Sequence, residues 1–245
     1  MSDRHVDQVA ERVHTIVADI FHSLDRILAS VAACYRASRP FASADLAAVR
    51  PDIFACLGAR GEVLAGAGVI VAPGVLADRV RWLEWWQAPP GEDPIFLEVD
   101  LDPESLDFYD YTAAEWFAVP ERTRRRHVVG PYVDYGGTDT YMLTFTTPAV
   151  VDGRFLGVVG ADVRAARFEA LLLGLLAASP TRITLVNAEG RVVAANSPRL
   201  PAGSLLLDPG PGRVELPGLP WSIVTSGPDS RPQAMAARAV QPLRE

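Results

Sequence analysis

From residue 5 to residue 37 apolar side chains recur every seven positions in two interleaved series. One is Val6, Val13, Ile20, Ile27 and Cys34; the other is Ala10, Val17, Leu24 and Val31. Heptad spacing held over four repeats predicts one long α-helix. Val9, Ile16, Phe21 and Leu28 widen the apolar stripe beyond a two-stranded seam. The helix therefore either packs along its own domain or does so and also pairs with a second copy of the chain. His5, His14 and His22 fall on it at irregular spacing and read as surface residues. Arg39-Pro40 ends it. Beyond, Asp45 to Val49 predicts a short helical turn. Ile53–Leu57 and Val63–Val69 read as strands joined by Gly58-Ala59-Arg60-Gly61. Pro73–Trp86 reads as a helix, Pro89 to Pro94 as a loop, and Ile95–Val99 as a strand leading into an acidic segment that runs to Asp110.

The stretch from Tyr109 to Asp162 carries the densest polar and aromatic patterning. Tyr109 lies seven residues before Trp116-Phe117, a basic run follows, and then come Tyr132-Val133-Asp134 and a Gly136-Gly137 turn. Tyr141 to Thr147 alternates as a strand, and Asp152-Gly153 between apolar runs signals a hairpin. Side chains two apart on a strand share a face, which groups Tyr132 with Asp134, and Leu156, Val158 and Gly160 with Asp162. The expectation is an antiparallel sheet under a helix-loop lid carrying Trp116, with acidic groups on two strands. After Asp162 a helix is predicted over Val163–Ala178. Val186 to Ala194 echoes Leu57 to Ala65 in residue type, which suggests a second, related unit. Trp221–Thr225 should close it, and a loose tail is expected beyond Pro228.

The Trp-aromatic pair, Pro131-Tyr132-Val133-Asp134, the Thr-rich strand into Pro148 and Gly157-Val158-Val159-Gly160-Ala161-Asp162 together resemble the ligand-binding half of a Cache domain, a PAS-like sensor module. The resemblance implies an α+β fold: a long N-terminal helix, a PAS-like antiparallel sheet module and a second, smaller PAS-like module in a double Cache arrangement. Residues 1–40 would be the spine or dimer helix, 41–163 the ligand-binding module, 164–228 the reduced second module and 229–245 a tail. It also implies a ligand site built from Tyr109, Trp116, Phe117, Tyr132, Asp134, Thr144 and Asp162. In the amino-acid-binding branch an Arg two residues before the Trp grips the ligand carboxylate. Here that position is Ala114, and Phe117 stands where a Tyr is usual. Two Asp carboxylates and a Tyr suit an ammonium, which has three donors and no acceptor. A site that keeps the ammonium grip and lacks the carboxylate grip should prefer a small amine. An amino acid or carboxylate remains the alternative should one of Arg122, Arg124, Arg125 or Arg126 enter the pocket; a ligand-free dimeric scaffold is another. Trp82, Trp85 and Trp86 either pack in the core or form an aromatic wall around a cation.

Composition narrows the chemistry. A net charge of -7 argues against a nucleic-acid surface. All 23 basic residues are Arg, which removes Schiff-base and P-loop lysine chemistry. Two cysteines, Cys34 and Cys56, and four scattered histidines point to buried free thiols and to no metal site. No nucleophile elbow or phosphate loop is present, so an enzyme would have to rest on Asp134, Asp162 and His127. The expectation is a non-catalytic sensor without a cofactor. Its output would pass to another chain, through a homodimer formed by the N-terminal helix or through a separately encoded regulator. The chain opens without a signal-peptide pattern and has no apolar run long enough to span a bilayer, so a cytoplasmic protein without membrane contact is expected.

Overall fold

The computed structural model describes residues 2–59, 63–133, 141–207 and 212–226. The predicted Gly136-Gly137 turn, Asp134 and the tail lie outside the described residues. Helix α1 (Ser2–Ala37) is followed by a 3-10 turn over Ser43–Val49 and by helix α2 (Arg50–Ala59). Strands β1 (Leu64–Val71), β2 (Trp82–Gln87) and β3 (Ile95–Phe96) come next. A 3-10 turn at Tyr111–Ala113 leads into α3 (Glu115–Thr123), and then to β4 (His127–Val133), β5 (Tyr141–Val151) and β6 (Arg154–Arg164). These strands form one antiparallel sheet in the order β3-β2-β1-β6-β5-β4. Short helices α4 (Ala165–Ala170) and α5 (Leu173–Ala177) lead to β7 (Arg182–Asn187), β8 (Val192–Ala195), β9 (Gly212–Glu215) and β10 (Trp221–Ser226). The second sheet is four-stranded, in the order β8-β7-β10-β9. The fold is thus α+β with two antiparallel sheets behind one long helix, as expected.

At 36 residues, α1 is about 54 Å long, enough to run past both sheets. Its wide apolar stripe is used within the chain: Val6, Val9, Val13, Ile16, Val17, Ile20, Phe21, Leu24, Ile27 and Val31 are all buried. A homodimer through this helix would have to use its polar face. Edge-on aromatic contacts tie the layers together. Phe21 meets Phe145 at 5.7 Å, Phe145 meets Trp221 at 6.2 Å, and Trp221 meets Phe168 at 5.4 Å. His14, read as a surface residue, instead bridges α1 to the second unit: its ring nitrogens reach Ala10 O at 2.9 Å and Pro217 O at 3.0 Å. The Asn187 amide donates to Gly130 O at 3.0 Å and joins β7 to β4.

Four local readings are corrected. Ile53–Leu57 is helical, because Ile53, Cys56 and Leu57 repeat at i, i+3 and i+4 and bury together. Pro73–Trp86 is not a helix. Trp82–Gln87 is a strand whose alternate side chains bury on opposite faces, and it pairs with β1 from Gly66↔Gln87 to Val71↔Trp82. Consequently the echo between Leu57–Ala65 and Val186–Ala194 holds only in its last part, where Val63–Ala65 and Val192–Ala194 lead into strands; the first part is helix in one copy and strand in the other, and residues 60–62 lie outside the described residues. The Asp152-Gly153 hairpin is present, both residues having positive φ, 51° and 80°. The helix predicted after Asp162 is broken into α4 and α5, and β6 runs two residues beyond Asp162.

Candidate ligand-binding site

The large sheet has two faces with different jobs. Val69, Leu143, Phe145, Val159 and Ala161 join the core beneath α1, while Ile70, Leu83, Trp85 and Val158 face the opposite way into a second core. That second core is closed by the segment 97–117, with Tyr111 and Phe117 fully buried. Tyr111 donates to Val71 O at 2.7 Å, which nails the 3-10 turn to the sheet, and burial pushes its phenol up to about 12. Leu156 departs from the predicted face. Gly157 has φ 133° beside a register shift between Ala149 and Val150, so Leu156 packs on the α1 side while Val158 faces the lid.

Between lid and sheet lies a small cavity of about 40 Å³ lined by Ala65, Ile70, Leu83, Trp85, Gln87, Leu97, Val99, Tyr109, Trp116, Tyr132, Met142, Thr144 and Asp162. By the ~10–15 Å³ needed for one water, it has room for about three water-sized groups. A larger open cleft of about 600 Å³ lies on the far side of Trp116 and Tyr132, which line both. Of the residues expected at the site, Tyr109, Trp116, Tyr132, Thr144 and Asp162 converge on the small cavity. Phe117 does not: it is core, edge-on to Tyr111 at 5.3 Å and to Phe155 at 5.7 Å. Asp134 lies outside the described residues. Of the proposed aromatic wall only Trp85 reaches the cavity. Trp82 and Trp86 are on the other face of β2, against Phe96 and, for Trp86, Phe54.

The polar groups stand in a row dictated by register. Thr144 on β5 pairs with Asp162 on β6, Asp162 with Gly66 on β1, and Gly66 with Gln87 on β2. Residues opposite one another across strands share a face, so all four point at the lid. Gly66 supplies no side chain, and Trp85 takes the space: a Cβ built on Gly66 would lie 2.7 Å from the indole Nε1, and one on Gly160 3.4 Å from the ring's Cη2. The indole lies across β1 and β6 on backbone that these glycines leave bare. Asp162 is a mid-strand residue rather than a helix cap, and it accepts the Thr144 hydroxyl at 2.6 Å. Tyr132 OH lies 2.7 Å from the same Thr144 oxygen. With the Thr144 proton committed to the carboxylate, Tyr132 must be the donor of that second bond. Both hydroxyl protons are therefore directed inward toward Asp162.

Asp162 is the sole ionisable acid or base among the described cavity residues apart from the tyrosines. Ala114, where the resemblance expects an arginine, caps α3 without a side-chain bond and borders the larger cleft. Arg122 to Arg126 are exposed. Arg126 chelates Asp25 at 2.6 and 2.8 Å, and Arg124 stacks over Phe155 at 4.5 Å. His127 bonds Glu115 at 2.8 Å and is not among the cavity residues. Gln87 was the residue missed by sequence. Its signal was the alternation Leu83, Trp85, Gln87, hidden by the helical spacing of the tryptophans.

Residues 94–170 match the family model for the first PDC sensor domain of methyl-accepting chemotaxis protein-like proteins. No curated protein sequence matches the chain. Among solved structures, the ligand-binding domain of the Pseudomonas fluorescens chemoreceptor CtaA in complex with L-valine is similar at TM-score 0.62 and 15% identity, covering 94% of this chain and 96% of that one. The ligand-binding domain of the Campylobacter jejuni chemoreceptor Tlp3 in complex with L-norvaline is similar at TM-score 0.63 and 13% identity, covering 92% and 89%. The extracellular domain of mmHK1S-Z3, described as a histidine kinase, is similar at TM-score 0.57 and 15% identity, covering 78% and 69%. The expected cytoplasmic location is corrected by these comparisons, whose members are chemoreceptor sensor domains and an extracellular kinase domain. Among the described residues no helix is long and apolar enough to cross a membrane. The chain thus shares the fold of these ligand-binding domains, and its central segment matches the PDC sensor-domain model.

Proposed function

We propose that this protein is a non-catalytic sensor module that holds a small amine in the cavity between sheet and lid, with Asp162 as the counter-ion and Tyr132, Thr144, Tyr109, Trp85 and Trp116 around it. The observation that carries the reading is the direction of the hydroxyl protons. Tyr132 donates to Thr144 and Thr144 to Asp162, so the cluster presents lone pairs to the cavity. A carboxylate has about four acceptor sites. An ammonium is all donors and would pair with such a cluster through charge-assisted bonds. Indole faces on Trp85 and Trp116 add roughly 0.5–2 kcal/mol for a desolvated cation.

A second reading, an amino acid, is favoured by the L-valine and L-norvaline held by similar domains. Against it stand Ala114 at the expected arginine position and the lack of any arginine among the described cavity residues. A buried carboxylate without a cationic partner is costly. The test is a thermal-shift series with small amines, amino acids and carboxylates. Ligand at 100 times its dissociation constant adds about 2.7 kcal/mol. The expected result is stabilisation by amines and its loss in Asp162→Asn. Stabilisation by amino acids and not by amines would select the second reading, and stabilisation by carboxylates alone would refute both.

A further inference from the structure

Three polar groups face the cavity from the sheet in sequence across the strands: the Asp162 carboxylate, the Trp85 indole N–H and the Gln87 carboxamide. The first is engaged by Thr144. The other two are not satisfied by the protein. Trp85 is 4% exposed, its Nε1 is seated over bare Gly66, and it has no hydrogen-bond partner in the described structure. The Gln87 side chain likewise has none. The Trp85 Nε1 atom is not fully buried: its N–H, like the half-buried Gln87 carboxamide, is open to the cavity these residues line, where water or a ligand atom would complete it. Trp Nε1–H can only donate, and the carboxamide offers a donor whichever way it is turned.

We infer that Trp85 and Gln87 form a second, uncharged recognition point, and that the ligand is a small amine carrying a neutral hydrogen-bond acceptor, such as a hydroxyl or amide oxygen, two or three bonds from its nitrogen. This rests on the amine reading of the same cavity and specifies it. The spacing follows from the sheet. Asp162 and Gln87 are two strands apart, about 9.5 Å between backbones, with the Trp85 N–H over the strand between them. Side chains reaching in from both ends leave a gap matched to a short two-ended molecule, and the cavity volume of about 40 Å³ excludes a long one. Two neutral donors suit a neutral acceptor better than a carboxylate, whose charge would be desolvated without a cation. The segment Trp82–Gln87 thus supplies, from the sheet, selectivity at the end of the ligand where an arginine from α3 would otherwise act.

The test is isothermal titration calorimetry on the full chain with three probes of similar size: 2-aminoethanol, n-propylamine and glycine. n-Propylamine replaces the hydroxyl by a methyl group and keeps the ammonium. Unmodified protein should bind 2-aminoethanol about 3–10-fold more tightly than n-propylamine, the equivalent of one net hydrogen bond, and glycine more weakly than 2-aminoethanol. Trp85→Phe keeps a flat ring and removes the N–H, while Gln87→Leu keeps the side-chain shape. Each should shrink the ratio, and the double variant should bring it near one, whatever common loss for both amines the weaker ring face of Trp85→Phe causes. Cooperative thermal unfolding of each variant reports that it folds. A ratio near one in the unmodified protein, a ratio left unchanged by the variants, or tighter binding of glycine would overturn the inference while leaving Asp162-dependent amine binding intact. Absence of binding by either amine would overturn both readings together.

Discussion

Gly66→Ala probes the packing that makes the cavity. A Cβ at this position would lie 2.7 Å from Trp85 Nε1 and 3.1 Å from Trp86 O. Heavy atoms in contact settle near about 3.5–4.0 Å, so the indole must lift by roughly 0.8 Å or more. The carbonyl is held in the β1–β2 ladder, which leaves the ring to move, and it can only move toward the cavity of about 40 Å³. Overpacking of this kind costs about 1–3 kcal/mol. At about 2–4 °C per kcal/mol for a chain of this size, the melting temperature should fall by roughly 2–12 °C. Ligand-induced stabilisation should vanish, because the added volume arrives in the cavity proposed to hold the ligand. Gly58→Ala is the control. Nothing lies within 4 Å of a Cβ there, it is in α2, and the substitution should raise stability by about 0.5–1 kcal/mol. Differential scanning fluorimetry with and without 2-aminoethanol reads both quantities. A Gly66→Ala protein that melts within 1 °C or so of the parent and keeps its ligand shift would refute the placement of Trp85 on the bare strand.

Three further outcomes follow from the same geometry. Tyr111 has its phenol raised to about 12 by burial, so the folded state binds the proton more tightly than the unfolded chain. Its stability contribution is whole below about pH 10 and is lost between about pH 10 and 12, up to roughly 2–3 kcal/mol. Tyr111→Phe should flatten that part of the denaturation-versus-pH curve relative to the parent. Adjacent residues of β5 should behave oppositely. Phe145→Ala should cost about 3–5 kcal/mol in urea unfolding because it faces α1 and Trp221; Thr144→Val should cost about 1–3 kcal/mol and remove most amine binding. Glu84 is fully buried and holds Arg50 Nε at 2.7 Å and Trp86 Nε1 at 2.9 Å, while the Arg50 side chain is 41% exposed. Solvent screening on that side reduces the cost of Arg50→Met to about 1–3 kcal/mol, and adding Glu84→Met should recover much of it; a double variant less stable than the single one would contradict this.

How much of this could be read from the chain depended on which periodicity had competition. α1 was legible because a seven-residue repeat over more than thirty positions has no strand counterpart. The Asp152-Gly153 hairpin and the strands on either side were legible from turn chemistry. Ile53–Leu57 was not, since five apolar residues fit a strand or a helix turn equally well. Trp82–Gln87 misled for the same reason: Trp82, Trp85 and Trp86 have helical spacing, yet sheet pairing won, and Glu84 could be buried in the strand only because Arg50 from α2 reaches it. The bulge at Gly157 moved Leu156 to the other face, a tertiary effect that alternation does not foretell. Tyr109, Trp116, Tyr132, Thr144 and Asp162, which line one cavity, could be grouped from sequence because they lie within one short stretch of a patterned module. Gln87 comes from a distant strand, and only register places it beside Asp162.

The sheet's alternation also limits how a bound ligand can be felt elsewhere. Thr144 touches Asp162 and the cavity, while its neighbour Phe145 touches Phe21 of α1 and Trp221 of the second sheet. Between the ligand and the spine helix there is one strand's thickness of tightly packed side chains, and such cores respond by switching between packings rather than by gradual deformation. A ligand moves that balance only by its difference in affinity for the two arrangements. In a cavity where the Asp162 carboxylate is already bound by Thr144, the difference for the proposed amine would reside in how its ammonium competes for Asp162 and how its acceptor end engages Trp85. Trp85 rests on β1 and β6, and β6 is the strand paired with β5. On the proposed reading the acceptor end of the ligand would bear on the same ladder as its charged end, and an amine lacking an acceptor should bind without delivering the full shift to α1.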